Sequence, residues 1–183
     1  MNIHQLSVSH DERQDRLLLR LNTQDAQEFR FWLTRRMVMR LLPAMDQSIG
    51  RLEAAQPGLA VADPAARQML TELKREAFLQ TADFATPYDG KVQQLPLGSE
   101  PLLVTDAHIS LQASGGLQIV FQQKTGDNTQ SCQMNLQASL VHGLIHLIRQ
   151  CMAKADWGLM TASPPPSHGD SAGTLATPPV YKH

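Results

Sequence analysis

The chain has 183 residues, of which 42% are apolar, and a formal net charge of −1. That length suffices to bury a core of ordinary size. The near-neutral charge gives no general pull toward nucleic acid or anionic membrane, and an aromatic content of 5% leaves few platforms for stacked bases. Two cysteines, Cys132 and Cys151, supply neither a disulfide framework nor a metal-binding spacing. No apolar run approaches the roughly 18 residues of a membrane helix, and the opening stretch MNIHQLSVSHDERQDR has no apolar core of a secretory signal. The expectation is a cytoplasmic protein with reduced thiols, no cofactor and no membrane partner.

His4 to Ser9 alternates, with Leu6 and Val8 on one face, and predicts a first strand. After the polar stretch His10–Asp15, Leu17, Leu19 and Leu21 form the buried face of a second strand, with Arg16 and Arg20 on the other. A third strand follows at about 27–33. Thr34 is placed to cap the next helix, which runs to about Ala54, and Pro43 predicts a kink or restart near Leu42. Asp63-Pro64 opens a second helix, with Asp63 as its cap, to about Phe84. Ala66, Met69, Leu70, Leu73 and Ala77 make one stripe of that helix. Residues 85–100 carry two prolines and two glycines and read as an irregular loop.

Leu102 to Gln112 is extended, and Ser114-Gly115-Gly116 signals a tight hairpin. Leu117, Ile119 and Phe121 mark the next strand, 124–130 a turn, Cys132–Leu136 another strand, and Ser139–Ala155 a helix. From 161 onward the composition is Pro, Gly and Ser, which predicts a disordered tail over 161–183.

The two halves repeat one pattern. At a shift of 103, Phe29, Phe31 and Leu33 fall on Cys132, Met134 and Leu136, and Met37, Val38, Leu41, Leu42 and Met45 on Leu140, Val141, Leu144, Ile145 and Ile148. The same shift puts Leu6 and Val8 on Ile109 and Leu111, while Leu17, Leu19 and Leu21 match Leu117, Ile119 and Phe121 at 100. The fold class read from this is α+β: duplicated β-β-β-α units, 3–55 and 101–157, joined by a helix and loop over 56–100. They share one core in a pseudo-twofold domain spanning 1–160.

Three constellations stand out. Thr34, Arg35, Arg36 and Arg40 gather guanidinium groups at a helix start, where they oppose the dipole and suit a bound anion. The plain alternative is pairing with Asp25, Glu28 or Asp46, or exposure to solvent. His142 and His146, spaced i, i+4, face one side of a helix and form a weak metal-site candidate, for which no third ligand is indicated. Leu18, Trp32 and Val120 sit on strand faces expected to be polar and form an interface candidate on one sheet, unless the connecting segments cover it.

No phosphate-binding glycine loop, nucleophile elbow, HExxH or CxxC is present. Acidic residues are scattered; Asp83, Asp89, Glu100 and Asp106 flank the loop, where a pair of them could do acid–base work, and an enzyme is the third reading. The leading expectation is a non-catalytic interaction protein (an adaptor, assembly factor or small scaffold) that self-associates, a homodimer being the simplest form. In layout the strands followed by a helix, in two copies, loosely resemble the Whirly and purine-rich-element-binding folds, whose repeats carry four strands and a helix; three strands per copy are clear here, and a fourth is conceivable only at Leu102–Thr105. That resemblance implies single-stranded nucleic-acid binding as the alternative, through Arg16, Arg20, Arg30 and Trp32, against Gln118, Gln122 and Gln133 on the second copy.

Overall fold

The structure is a computed structural model that describes residues 2–54, 63–91 and 93–157. The predicted tail lies outside the described residues. The elements in order are β1 (Ile3–Asp11), β2 (Arg16–Thr23), β3 (Glu28–Thr34), α1 (Arg35–Ala54), α2 (Pro64–Thr81), β4 (Leu102–Leu103), β5 (Asp106–Gln112), β6 (Gly116–Thr125), β7 (Asn128–Gln137) and α3 (Ala138–Lys154). The fold is α+β, with one sheet in the order β1-β2-β3-β4 and a second in the order β5-β6-β7. No helix among the described residues is long and apolar enough to cross a membrane.

Alternation decides what each sheet buries. Leu17, Leu19 and Leu21 lie opposite Leu33, Phe31 and Phe29, and Leu117, Ile119 and Phe121 lie opposite Leu136, Met134 and Cys132. All twelve are buried, in one contiguous cluster with the inner stripes of α1 and α3. Phe31 and Phe121 meet edge to face, 5.2 Å between ring centres, where the two sheets' apolar faces join. Each long helix also reaches the other sheet: α1 packs on β5 and α3 on β1. There the Cys151 thiol donates to the Val8 carbonyl at 3.2 Å.

The first strands align differently from the expectation. Val8 faces Leu19 and Ile109 faces Ile119, so Val8, and not Leu6, takes the place corresponding to Ile109. Leu111 is left 49% exposed. The turn over residues 12–15 is only one residue longer than that over 113–115, and the shift along β1 and β5 is therefore close to that along β2 and β6.

Four boundaries also differ. Thr34 does cap α1, its Oγ1 accepting from the Met37 amide at 3.2 Å, yet the helix runs unbroken through Pro43. Pro43 is exposed, and buried Leu41, Leu42 and Met45 on both sides of it hold the two halves on one core. Asp63 precedes α2 without a side-chain cap bond, and the helix stops at Thr81, whose hydroxyl bonds the Ala77 and Phe78 carbonyls. The stretch 102–112 is not one strand. Leu102–Leu103 pairs parallel with Phe31–Trp32, then the Val104 amide donates to Trp32 O and the Thr105 amide to Gln122 O, so the chain changes sheets. Finally, β6 and β7 run on to a turn at Gly126-Asp127, where Gly126 has φ 57. Residues 128–131 are exposed, so that part of the ladder carries no apolar alternation to read.

Candidate interaction surface

Helix α2 turns its apolar stripe to solvent. Met69 is 76% exposed, Leu73 60% and Leu70 38%, and Ala66 and Ala77 on the same stripe are exposed too. The face turned to the body holds Thr71, Arg75, Phe78 and Leu79, all half-buried. Phe78 rests over α3: a Cβ on Gly143 would lie 3.6 Å from its ring, and the ring centre is 6.5 Å from that of His142. One aromatic anchor, with contacts to α1 and α3, seats the helix with its more apolar side outward. Phe84, 41% exposed just beyond the helix, lies tilted against the His146 ring at 4.9 Å between centres. Of the large apolar side chains that stand exposed among the described residues, most lie on α2 or directly after it. Contiguous exposed apolar surface of this kind marks a docking site more often than a scattering of single residues does.

Charges border the stripe on both sides. Helical spacing puts Glu72 and Glu76 along one flank and Lys74 along the other. Glu72 is 60% exposed and pairs within the helix with Arg75.

The arginine constellation stays on the surface. Arg35, Arg36 and Arg40 are exposed, and the Thr34 hydroxyl is committed to its cap. Glu28 bonds Arg30 at 3.0 Å and Asp46 bonds Arg149 at 2.7 Å, so these carboxylates serve other arginines.

The two histidines part company. His142 is buried and its Nε2 lies 2.9 Å from buried Glu53 Oε1. His146 meets the Gln150 amide at 2.8 Å. No group of three or more metal-ligating side chains occurs among the described residues. Both thiols are core groups: burial pushes Cys132 up to about 11 and also raises Cys151.

Leu18 and Trp32 are direct cross-strand neighbours and half-buried, but Val120 lies in the other sheet between His108 and Gln133, so the three do not share one sheet. On the same outer face Arg20 lies opposite Arg30. Arg20 is covered by the Tyr88 ring at 4.5 Å, and Arg30 is held by Glu28 and the Ser99 carbonyl. The segment after α2 therefore covers part of that face. Desolvation there pushes the Tyr88 phenol up to about 12. Two of the acidic residues around the loop are engaged within the chain. Asp83 accepts from Thr86 and from the amides of Ala85 and Thr86, bonds that hold its carboxyl below the usual range. Asp106 bonds Thr105 and Lys124, with the same effect.

Comparison with known protein families, characterised proteins and solved structures finds no match for this chain.

Proposed function

We propose that the protein is a non-catalytic interaction protein that docks a protein partner on the outward stripe of α2. One observation carries this reading: Met69 and Leu73, at 76% and 60% exposure, lead an apolar stripe that the fold leaves open instead of using it in the core. Leaving such side chains in water forgoes roughly 1.5–3 kcal/mol each relative to full burial, an energy available to a partner. The arginines proposed for nucleic acid are less available, since Arg20 and Arg30 are occupied within the chain.

The scaffold that presents α2 is, in this reading, one domain over 1–160 built from two copies of a β-β-β-α block. Two features support that origin: the matching cross-strand pairs of β2–β3 and β6–β7, and the reciprocal packing of α1 on β5 and α3 on β1.

Oxidative footprinting of the full chain tests the docking reading. In an extract of its host, Met69 is expected to be protected relative to the dilute purified chain, with Met39 as the internal reference. Equal oxidation of Met69 in both settings overturns it.

A further inference from the structure

We infer that the partner on α2 is a second copy of this chain, the two helices pairing in parallel about a twofold axis that runs along them. The inference rests on the docking reading above and adds the occupant and its orientation.

The stripe is suited to meeting itself. Ala66, Met69, Leu70, Leu73 and Ala77 recur at helical spacing, and small residues at both ends with large ones between allow two such stripes to lie side by side. The body of the protein lies behind α2, on the side of Thr71, Arg75, Phe78 and Leu79, so among the described residues a second molecule approaching the stripe meets the helix first.

Charge selects the orientation. In a symmetric antiparallel pair the twofold axis crosses the helices, and each flank meets its own copy. Glu72 and Glu76 would then face Glu72 and Glu76 of the second molecule, a like-charge juxtaposition that disfavours the pair. When the axis runs parallel to the helices, opposite flanks meet, and Lys74 of each molecule lies between Glu72 and Glu76 of the other. The surface is self-complementary only in this second arrangement, as an isologous interface requires. A single helix stripe lies at the small end of interface sizes, so the dimer is weak and concentration-dependent.

Sedimentation of the purified full chain over a concentration series is the first measurement. Wild type should show a monomer–dimer equilibrium, and Leu73→Glu should be monomeric with an unchanged melting curve, because that side chain is already exposed. Lys74→Glu alone, and Glu72→Lys with Glu76→Lys, should each weaken association by roughly tenfold or more. Mixing these two variants should restore it as a heterodimer. Under mild oxidation Ala66→Cys and Ala77→Cys should each form a disulfide with the same position of the second copy. Cross-linking confined to Leu73→Cys overturns the parallel orientation. A chain that stays monomeric at its highest attainable concentration overturns the dimer. If Met69 is nevertheless protected in host extract, the docking reading stands with a different partner; if it is open there as well, both fall.

Discussion

His142 Nε2 lies 2.9 Å from Glu53 Oε1, and this pair ties α3 to the end of α1 with both side chains almost fully buried, at 5% and 3% exposure. The other carboxylate oxygen of Glu53 is buried and has no hydrogen-bond partner. Each residue therefore depends on the other for its desolvated polar group. His142→Leu is expected to destabilise by about 3–5 kcal/mol, because it strands a buried carboxylate. His142→Leu combined with Glu53→Leu should cost less than the sum of the single changes. A double-mutant cycle by urea denaturation measures the coupling, and strict additivity would show that the contact contributes nothing.

Two glycines predict opposite outcomes for the same substitution. A Cβ on Gly116 would sit 2.6 Å from the Leu136 carbonyl oxygen on the neighbouring strand, so Gly116→Ala must push β6 and β7 apart. It is expected to cost about 1–3 kcal/mol, as overpacking does. On Gly143 the new Cβ makes only ordinary contact with Phe78, and alanine suits a helix interior better. Gly143→Ala should therefore stabilise, by up to about 1 kcal/mol. Thermal or urea unfolding of the two variants gives both signs.

Asp15 is held below the usual carboxylate range, first by the Trp157 indole N–H, which donates to Oδ1 at 2.6 Å, and then by His10. A carboxyl whose folded pKa is depressed stabilises the fold above its unfolded pKa, and that contribution is lost as pH falls through the folded value. The contribution of Asp15 is thus present at neutral pH and disappears in acid, below about pH 4. Trp157→Phe removes the leading cause, and the Asp15 carboxyl, followed by NMR titration, should move up toward its ordinary value. An unmoved titration would mean that the indole bond is not what holds it.

The outer sheet face and the α2 stripe can be separated. Trp32 is half-buried beside Leu18 and Leu103, so Trp32→Ala should lower the melting temperature while leaving association intact. Leu73→Glu should do the reverse. Loss of association in Trp32→Ala, with the fold retained, would move the interface to the sheet.

Local chemistry made much of this architecture legible. Leu17, Leu19 and Leu21 against Phe29, Phe31 and Leu33 could only be strands with one buried face, since every second residue is apolar, and Thr34 is a cap wherever a helix begins after it. The same rule gave Leu117, Ile119 and Phe121. It failed on residues 128–131, which are paired but polar, and on 102–112, where one apolar run serves two sheets in succession. Hydrogen bonding to a distant strand leaves no mark on the spacing of apolar residues.

For the candidate site the division is sharper. The sequence alone determined that α2 carries an apolar stripe, because periodicity is a property of the helix itself. Only the tertiary structure decided that this stripe faces outward, that His142 is buried with Glu53, and that Val120 lies apart from Leu18 and Trp32. Which side of a helix meets the core depends on the shape and remaining space of the surfaces it lands on. Here Phe78 over Gly143 provides the seat, and those surfaces exist only once residues far apart in the chain have packed.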